Sequence, residues 1–174
     1  MSKVDYDLKK IKAVVFDIDG VLSPSVVPMG SDGVPQRMAN LKDGYALQLA
    51  VKRGVRIAII SGSTGSGLEA RFRSLGIEDV YLKAKYKREI LVEWMKNNAF
   101  TPEEVAYVGD DIPDRECLDL VGLPVAPADA ANDILGCVRY ISPEKGGYGV
   151  ARDLLEEILK AQGLWPHTDV AFGR

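Results

Sequence analysis

Short apolar runs alternate along this chain with stretches of helical periodicity, and that alternation constrains the fold more than any other feature. Ala13–Phe16, Arg56–Ile60, residues 80–82 and Val105–Val108 read as strands, with a shorter candidate at Leu123–Ala126. A run such as Ala-Val-Val-Phe, continuously apolar, suits a strand buried on both faces. Helical patterns occupy 44–52, 67–75, 89–97 and 113–121; Ile90, Leu91, Trp94 and Met95 recur at helical spacing, as do Val150, Leu154, Leu155, Ile158 and Leu159 near the end. Strand and helix in alternation predict an α/β fold, a mostly parallel sheet doubly wound with helices on both faces. With 174 residues and no internal repeat or low-complexity linker, the chain is expected to form a single domain spanning 1–174.

Composition narrows the chemistry. A net charge of −3 argues against a general nucleic-acid binder. The charged N-terminus has no signal-peptide core, and no apolar run approaches the roughly 20 residues of a membrane span, so a cytoplasmic protein without membrane association is expected. Cys117 and Cys137 are too few for a disulfide framework and fit reduced thiols. His167 is the sole histidine, which excludes a His-rich zinc site; a metal here would be held mainly by oxygen, favouring magnesium (Mg2+).

Four strand ends carry candidate chemistry. Asp17 and Asp19 follow the first strand with only Ile18 between them, at the edge where open α/β sheets bind ligands. Two carboxylates so placed can divide the labour of covalent catalysis, one attacking while the other handles protons. Ser61 and Gly62 end the second strand just before a helix, whose N-terminal amides and dipole suit a phosphate. Lys87 follows the third strand within the cluster Lys83, Lys85, Lys87 and Arg88, and can neutralise a phosphate and a carboxylate nucleophile together. The fourth strand delivers Gly109-Asp110-Asp111 and then Asp114. Two such charges about 4 Å apart repel by ~4 kcal/mol at an effective dielectric of 20, so a cluster of five implies protons or a cation.

Strand-end acids, then Ser, Lys and Gly-Asp-Asp, in this order on successive βα units, resemble the haloacid dehalogenase (HAD) superfamily of phosphohydrolases. The resemblance implies Asp17 as nucleophile and Asp19 as general acid/base, with Ser61, Gly62 and Lys87 binding phosphate. It implies magnesium held by Asp17, the backbone carbonyl of Asp19 and Asp110, with Asp111 and Asp114 as supporting carboxylates. Further stretches, including Lys42-Asp43-Gly44-Tyr45, Arg71 with Leu75-Gly76-Ile77, Pro124-Val125-Ala126 and Gly146-Gly147-Tyr148-Gly149, are similar to the capless family of 3-deoxy-D-manno-octulosonate 8-phosphate (KDO 8-phosphate) phosphatases. Relatives of that family act on nonulosonate 9-phosphates. The likeness implies a magnesium-dependent sugar-acid phosphatase serving lipopolysaccharide precursor synthesis, usually a homotetramer.

Several positions depart from the family pattern. Ser61-Gly62-Ser63 stands where Thr-Gly-Arg or Thr-Gly-Glu is frequent, Ser23-Pro24-Ser25 replaces Thr-Asp-Gly, and Asp153 replaces a glutamate. Ser63 falls where relatives choose among sugars, leaving the eight-carbon and nine-carbon acids both open. Lys42, Asp43, Ser63, Arg71 and Lys85 are the candidates for meeting the substrate. A signalling receiver domain also uses strand-end acids, a hydroxyl and a lysine, but needs a phospho-accepting aspartate after a middle strand, where this chain has Ser61 or lysines. A catalytically idle assembly subunit would not need costly clustered carboxylates.

Residues 23–41 hold three prolines and an Asp32-Gly33 turn signal, and predict a β-hairpin flap over the crevice. The spacings between motifs leave no room for a cap domain. Neighbouring subunits are therefore expected to close the site, through the flap and through a tail at 162–174 that carries Trp165 and Phe172.

Overall fold

A computed structural model describes residues 2–166. Six strands form one parallel sheet: β1 Ala13–Phe16, β2 Arg56–Ile60, β3 Asp79–Tyr81, β4 Val105–Val108, β5 Leu123–Ala126 and β6 Tyr140–Ile141, in spatial order β3-β2-β1-β4-β5-β6. The helices between them are α1 Leu41–Lys52, α2 Ser66–Ser74, α3 Lys87–Asn97, α4 Arg115–Leu118, α5 Asn132–Leu135 and α6 Val150–Ala161. Strand order reverses at β1, which pairs with β2 on one side and β4 on the other. A crevice opens at the carboxyl ends of the strands at such a reversal, so Asp17, Ser61 and Asp110 are brought to one place by topology alone.

Side chains of β1 alternate between two cores, as a strand dictates. Val14 and Phe16 join the core under α1 and α6, with Leu47, Leu154 and Ile158. Ala13 and Val15 face the other core, with Leu91 and Trp94 of α3 and Cys117 of α4. Phe16 is wholly buried, and truncating it to alanine would cost ~3–5 kcal/mol. No helix among the described residues is long and apolar enough to cross a membrane.

Three expectations need correction. The third strand lies at Asp79–Tyr81 rather than 80–82, and the two-residue β6 had no counterpart in the sequence reading. The helix expected over 113–121 is a 3₁₀ turn at Ile112–Asp114 followed by the short α4 Arg115–Leu118, with Pro113 in the first turn, where its missing N–H is tolerated. The flap forms a single antiparallel bridge, Met29 to Pro35, instead of a full hairpin. Gly30 N–H donates to Val34 O at 2.8 Å and Gln36 N–H to Pro28 O at 2.8 Å, while Pro28 and Pro35 have no N–H to extend the ladder.

Trp165 packs on its own chain, against the α1–α6 core, with the Arg152 guanidinium 4.7 Å from its ring. Phe172 lies outside the described residues.

Candidate active site

Lys87 opens α3 with only 7% of its surface exposed, and its ammonium lies 2.8 Å from Asp17 Oδ2 and 2.8 Å from Asp114 Oδ1. Asp17 extends β1 by one more ladder bond, its N–H donating to Val108 O at 3.1 Å, and its Oδ1 accepts from the Ile18 N–H at 2.7 Å. Asp114 is almost wholly buried. Its Oδ1 also accepts from the Tyr107 hydroxyl at 2.8 Å, and its Oδ2 from the Asp110 N–H at 3.1 Å. A lysine is therefore held between two carboxylates, one of which is itself fixed from the floor of β4.

Oxygen atoms of Asp17, Asp110 and Asp114 lie within 4.8 Å of one another. Burial, reinforced by Asp114 and opposed by Lys87, pushes the Asp17 carboxyl up to about 6. Burial together with Asp114, Asp17 and Asp111 pushes Asp110 up to about 7. For Lys87, burial works to lower the pKa, and Asp114 and Asp17 overcome it, so the ammonium stays charged. Crowded carboxylates of this kind fit a small divalent cation with oxygen ligands. Gly20 shapes the cradle: at φ +80°, a Cβ there would stand 1.8 Å from Asp110 Oδ2.

Asp19 is gripped from the flap. Arg37 binds it in bidentate fashion, Nε to Oδ1 at 2.9 Å and Nη2 to Oδ2 at 2.9 Å, and the Ser63 hydroxyl donates to Oδ2 at 2.7 Å. Arg37 foremost, with help from Ser63 and against burial, holds Asp19 below the usual carboxylate range. The buried Ser61 hydroxyl donates to Ser63 Oγ at 2.9 Å, so a hydroxyl chain joins the end of β2 to Asp19. Gly62 is exposed beside it.

The structure thus brings Asp17, Asp19, Ser61, Lys87, Asp110 and Asp114 to one crevice. Asp114 takes a more central place than that of a supporting carboxylate, since it joins the acid trio and holds Lys87. Asp111 lies beside Asp110 with its side chain exposed, capping the following 3₁₀ turn by accepting from the Ile112 N–H at 2.8 Å. Sequence reasoning did not find Arg37, because 18 residues and an irregular flap separate it from Asp19.

A cavity of about 440 Å³ extends from Arg37 between the flap, α1 and α2, with Asp43 and Arg71 in its wall. Of the substrate candidates, Lys42 is exposed on another surface, alongside Glu144 and Arg152, and Lys85 is exposed with its ammonium 5.6 Å from the Tyr86 ring centre. Asp43, in the cavity wall, also supports the fold: its Oδ1 accepts from the Arg152 N–H at 2.7 Å, capping α6, whose own N-cap, Gly149, has no side chain to do so. Its Oδ2 is buried without a hydrogen-bond partner.

No protein-family model matches the chain. It is 35% identical over 155 residues to the 3-deoxy-D-manno-octulosonate 8-phosphate phosphatase KdsC of Escherichia coli K12, covering 89% of this chain and 82% of that protein. The crystal structure of the Yersinia pestis 3-deoxy-D-manno-octulosonate 8-phosphate phosphatase superposes with a TM-score of 0.86 at 34% identity, covering 91% of this chain and 85% of that one. The Moraxella catarrhalis phosphatase, solved with a magnesium ion, a phosphate ion and KDO, gives a TM-score of 0.85 at 30% identity, over 90% of each chain.

Proposed function

Since the chain belongs to the 3-deoxy-D-manno-octulosonate 8-phosphate phosphatase family of HAD hydrolases, we propose that it hydrolyses that sugar-acid phosphate to KDO and inorganic phosphate. The observation that carries this reading is Lys87 bridging Asp17 and Asp114 beside Asp110 at the reversal point of the sheet.

Asp17 attacks phosphorus in line, and Asp19 gives its proton to the departing sugar oxygen. Asp19 then takes a proton from water, which attacks the aspartyl-phosphate and returns Asp17 as carboxylate. Lys87, with Ser61 and the Gly62 amide, binds the phosphoryl oxygens. Asp17, Asp110 and the backbone carbonyl of Asp19 would hold magnesium, with Asp114 behind them. When bound, the ion offsets charge on the transferring phosphoryl group.

The protein is further proposed to be a cytoplasmic homotetramer working in lipopolysaccharide precursor synthesis. Val26, Met29, Met38 and Leu41, all on or beside the flap, are 86%, 66%, 55% and 58% exposed, an apolar surface suited to a neighbouring subunit. Light scattering should give about four times the 19.0 kDa chain mass.

Substrate choice is tested by comparing kcat/KM for the octulosonate 8-phosphate and a nonulosonate 9-phosphate, with magnesium present. The eight-carbon ester should win. A reversed preference would assign the nine-carbon acid instead, consistent with the small Ser63 beside Asp19.

A further inference from the structure

Resting on that proposed function, we infer that Arg37 reads the carboxylate of the substrate, and that taking hold of it releases Asp19 for proton transfer. In this structure both Asp19 oxygens are engaged, although the side chain is 46% exposed. Oδ1 accepts from Arg37 Nε, and Oδ2 accepts from both Arg37 Nη2 and Ser63 Oγ. A general acid/base must turn an oxygen toward the leaving group, within hydrogen-bond reach. The bidentate clamp fixes the carboxylate toward the flap, so a partner that draws Arg37 away frees Asp19 to turn.

What replaces Asp19 follows from the chemistry of the guanidinium. The Arg37 side chain is only 11% exposed, so leaving it unpaired is costly. Its planar fork fits a carboxylate through two parallel N–H donors, and a second carboxylate satisfies it as well as the first. Arg37 also donates to Thr64 O at 3.4 Å and Pro35 O at 3.3 Å, which anchor its remaining nitrogen while the fork changes partner. The place for that partner is the adjoining cavity, whose ~440 Å³ is in the range that holds small ligands. Arg71 stands in the same wall, and among the described residues no carboxylate pairs with it.

A sugar-acid phosphate can bring its phosphate to Asp17 and its carboxylate to Arg37 at once. A phosphate ester without a carboxylate offers Arg37 nothing in exchange and leaves the clamp shut. Selection for acid sugars is thereby expressed in kcat as well as KM, because binding energy remote from phosphorus frees the proton carrier.

The test compares wild type, R37M and R37K on the octulosonate 8-phosphate and on 4-nitrophenyl phosphate, each with saturating magnesium. R37M should lose at least ~30-fold in kcat/KM on the sugar-acid ester, the size of a lost charged contact, mainly through KM, while the aryl ester, no longer facing a shut clamp, is cleaved at least as fast as by wild type. Its preference for that ester over the aryl ester should fall at least ~10-fold, and R37K should recover part of it. An equal loss on both esters, or an unchanged preference, overturns the assignment of Arg37 while the proposed substrate stands. A wild-type enzyme that cleaves only the aryl ester overturns the substrate and this inference with it. A magnesium-induced thermal shift retained in both variants separates these results from failure to fold.

Discussion

Lys87 holds Asp17 at 2.8 Å inside the protein, where each of the two would be expensive alone. K87M leaves Asp17 and Asp114 facing each other without a cation. Breaking a buried pair by removing one partner costs about 3–5 kcal/mol. Urea unfolding without magnesium should report a loss of that size, reduced when magnesium is added. A midpoint unchanged from wild type would mean that the lysine contributes nothing to holding the acids.

The two aspartates after β1 should fail differently. D17N should abolish turnover while the fold and its melting transition persist. D19N keeps the shape but cannot supply a proton, and kcat should drop by ~10²–10⁴. Substantial turnover by D17N would remove it as the nucleophile.

Metal and proton compete for the acid trio. Asp17 and Asp110, pushed to about 6 and about 7, bind protons more tightly than in the unfolded chain, where each sits near 3.8. Metal-free protein should therefore lose stability as pH rises from about 4 to about 7. Magnesium at ~100 times its Kd should add ~2.7 kcal/mol, with tighter binding at pH 8 than at pH 5. D110A should abolish the thermal shift; an equal shift in that variant would place the ion elsewhere.

Asp43 gives a second pH signature, away from the metal. Burial raises its carboxyl from 3.8 to about 6, against the Arg152 N–H and charge. A raised carboxyl is stabilising when protonated, so its contribution is intact below about pH 4 and lost as pH passes 6, by roughly 3 kcal/mol. D43N retains the oxygen that caps α6 and has nothing to titrate. With saturating magnesium, wild type should lose stability relative to D43N across this window. Parallel curves would refute the buried charge.

Much of this was readable from residues alone, because strand-end chemistry depends on short local runs. Ala13–Phe16 and Val105–Val108 announce buried strands, and a parallel sheet carries whatever follows them to one edge. Long-range contacts left no such mark. Tyr140–Ile141 is too short to stand out from loop, and Arg37 reaches Asp19 only after the flap folds back. Asp43 lines the cavity and also caps a helix 109 residues away, a second contact that no local motif shows. Asp111 and Asp114 look alike in sequence and differ only because the turn after β4 points one inward and the other out.

The first residues and the last helix close on each other. Ser2 Oγ donates to Glu157 Oε2 at 2.8 Å, Lys3 pairs with Asp153, and the Gln162 amide donates to the carbonyls of Leu8 and Ile11 at 3.0 and 2.7 Å. α6 also covers the face of β1 that carries Val14 and Phe16. α1 follows β1 closely in the chain and covers part of this face, whereas the share that α6 covers waits until that helix, more than 130 residues later, has been made. Contacts of such sequence separation form late and leave sticky intermediates on the way. Truncation within α6 is thus a defect in acquiring the fold, even though its residues lie on the far side of the sheet from Lys87.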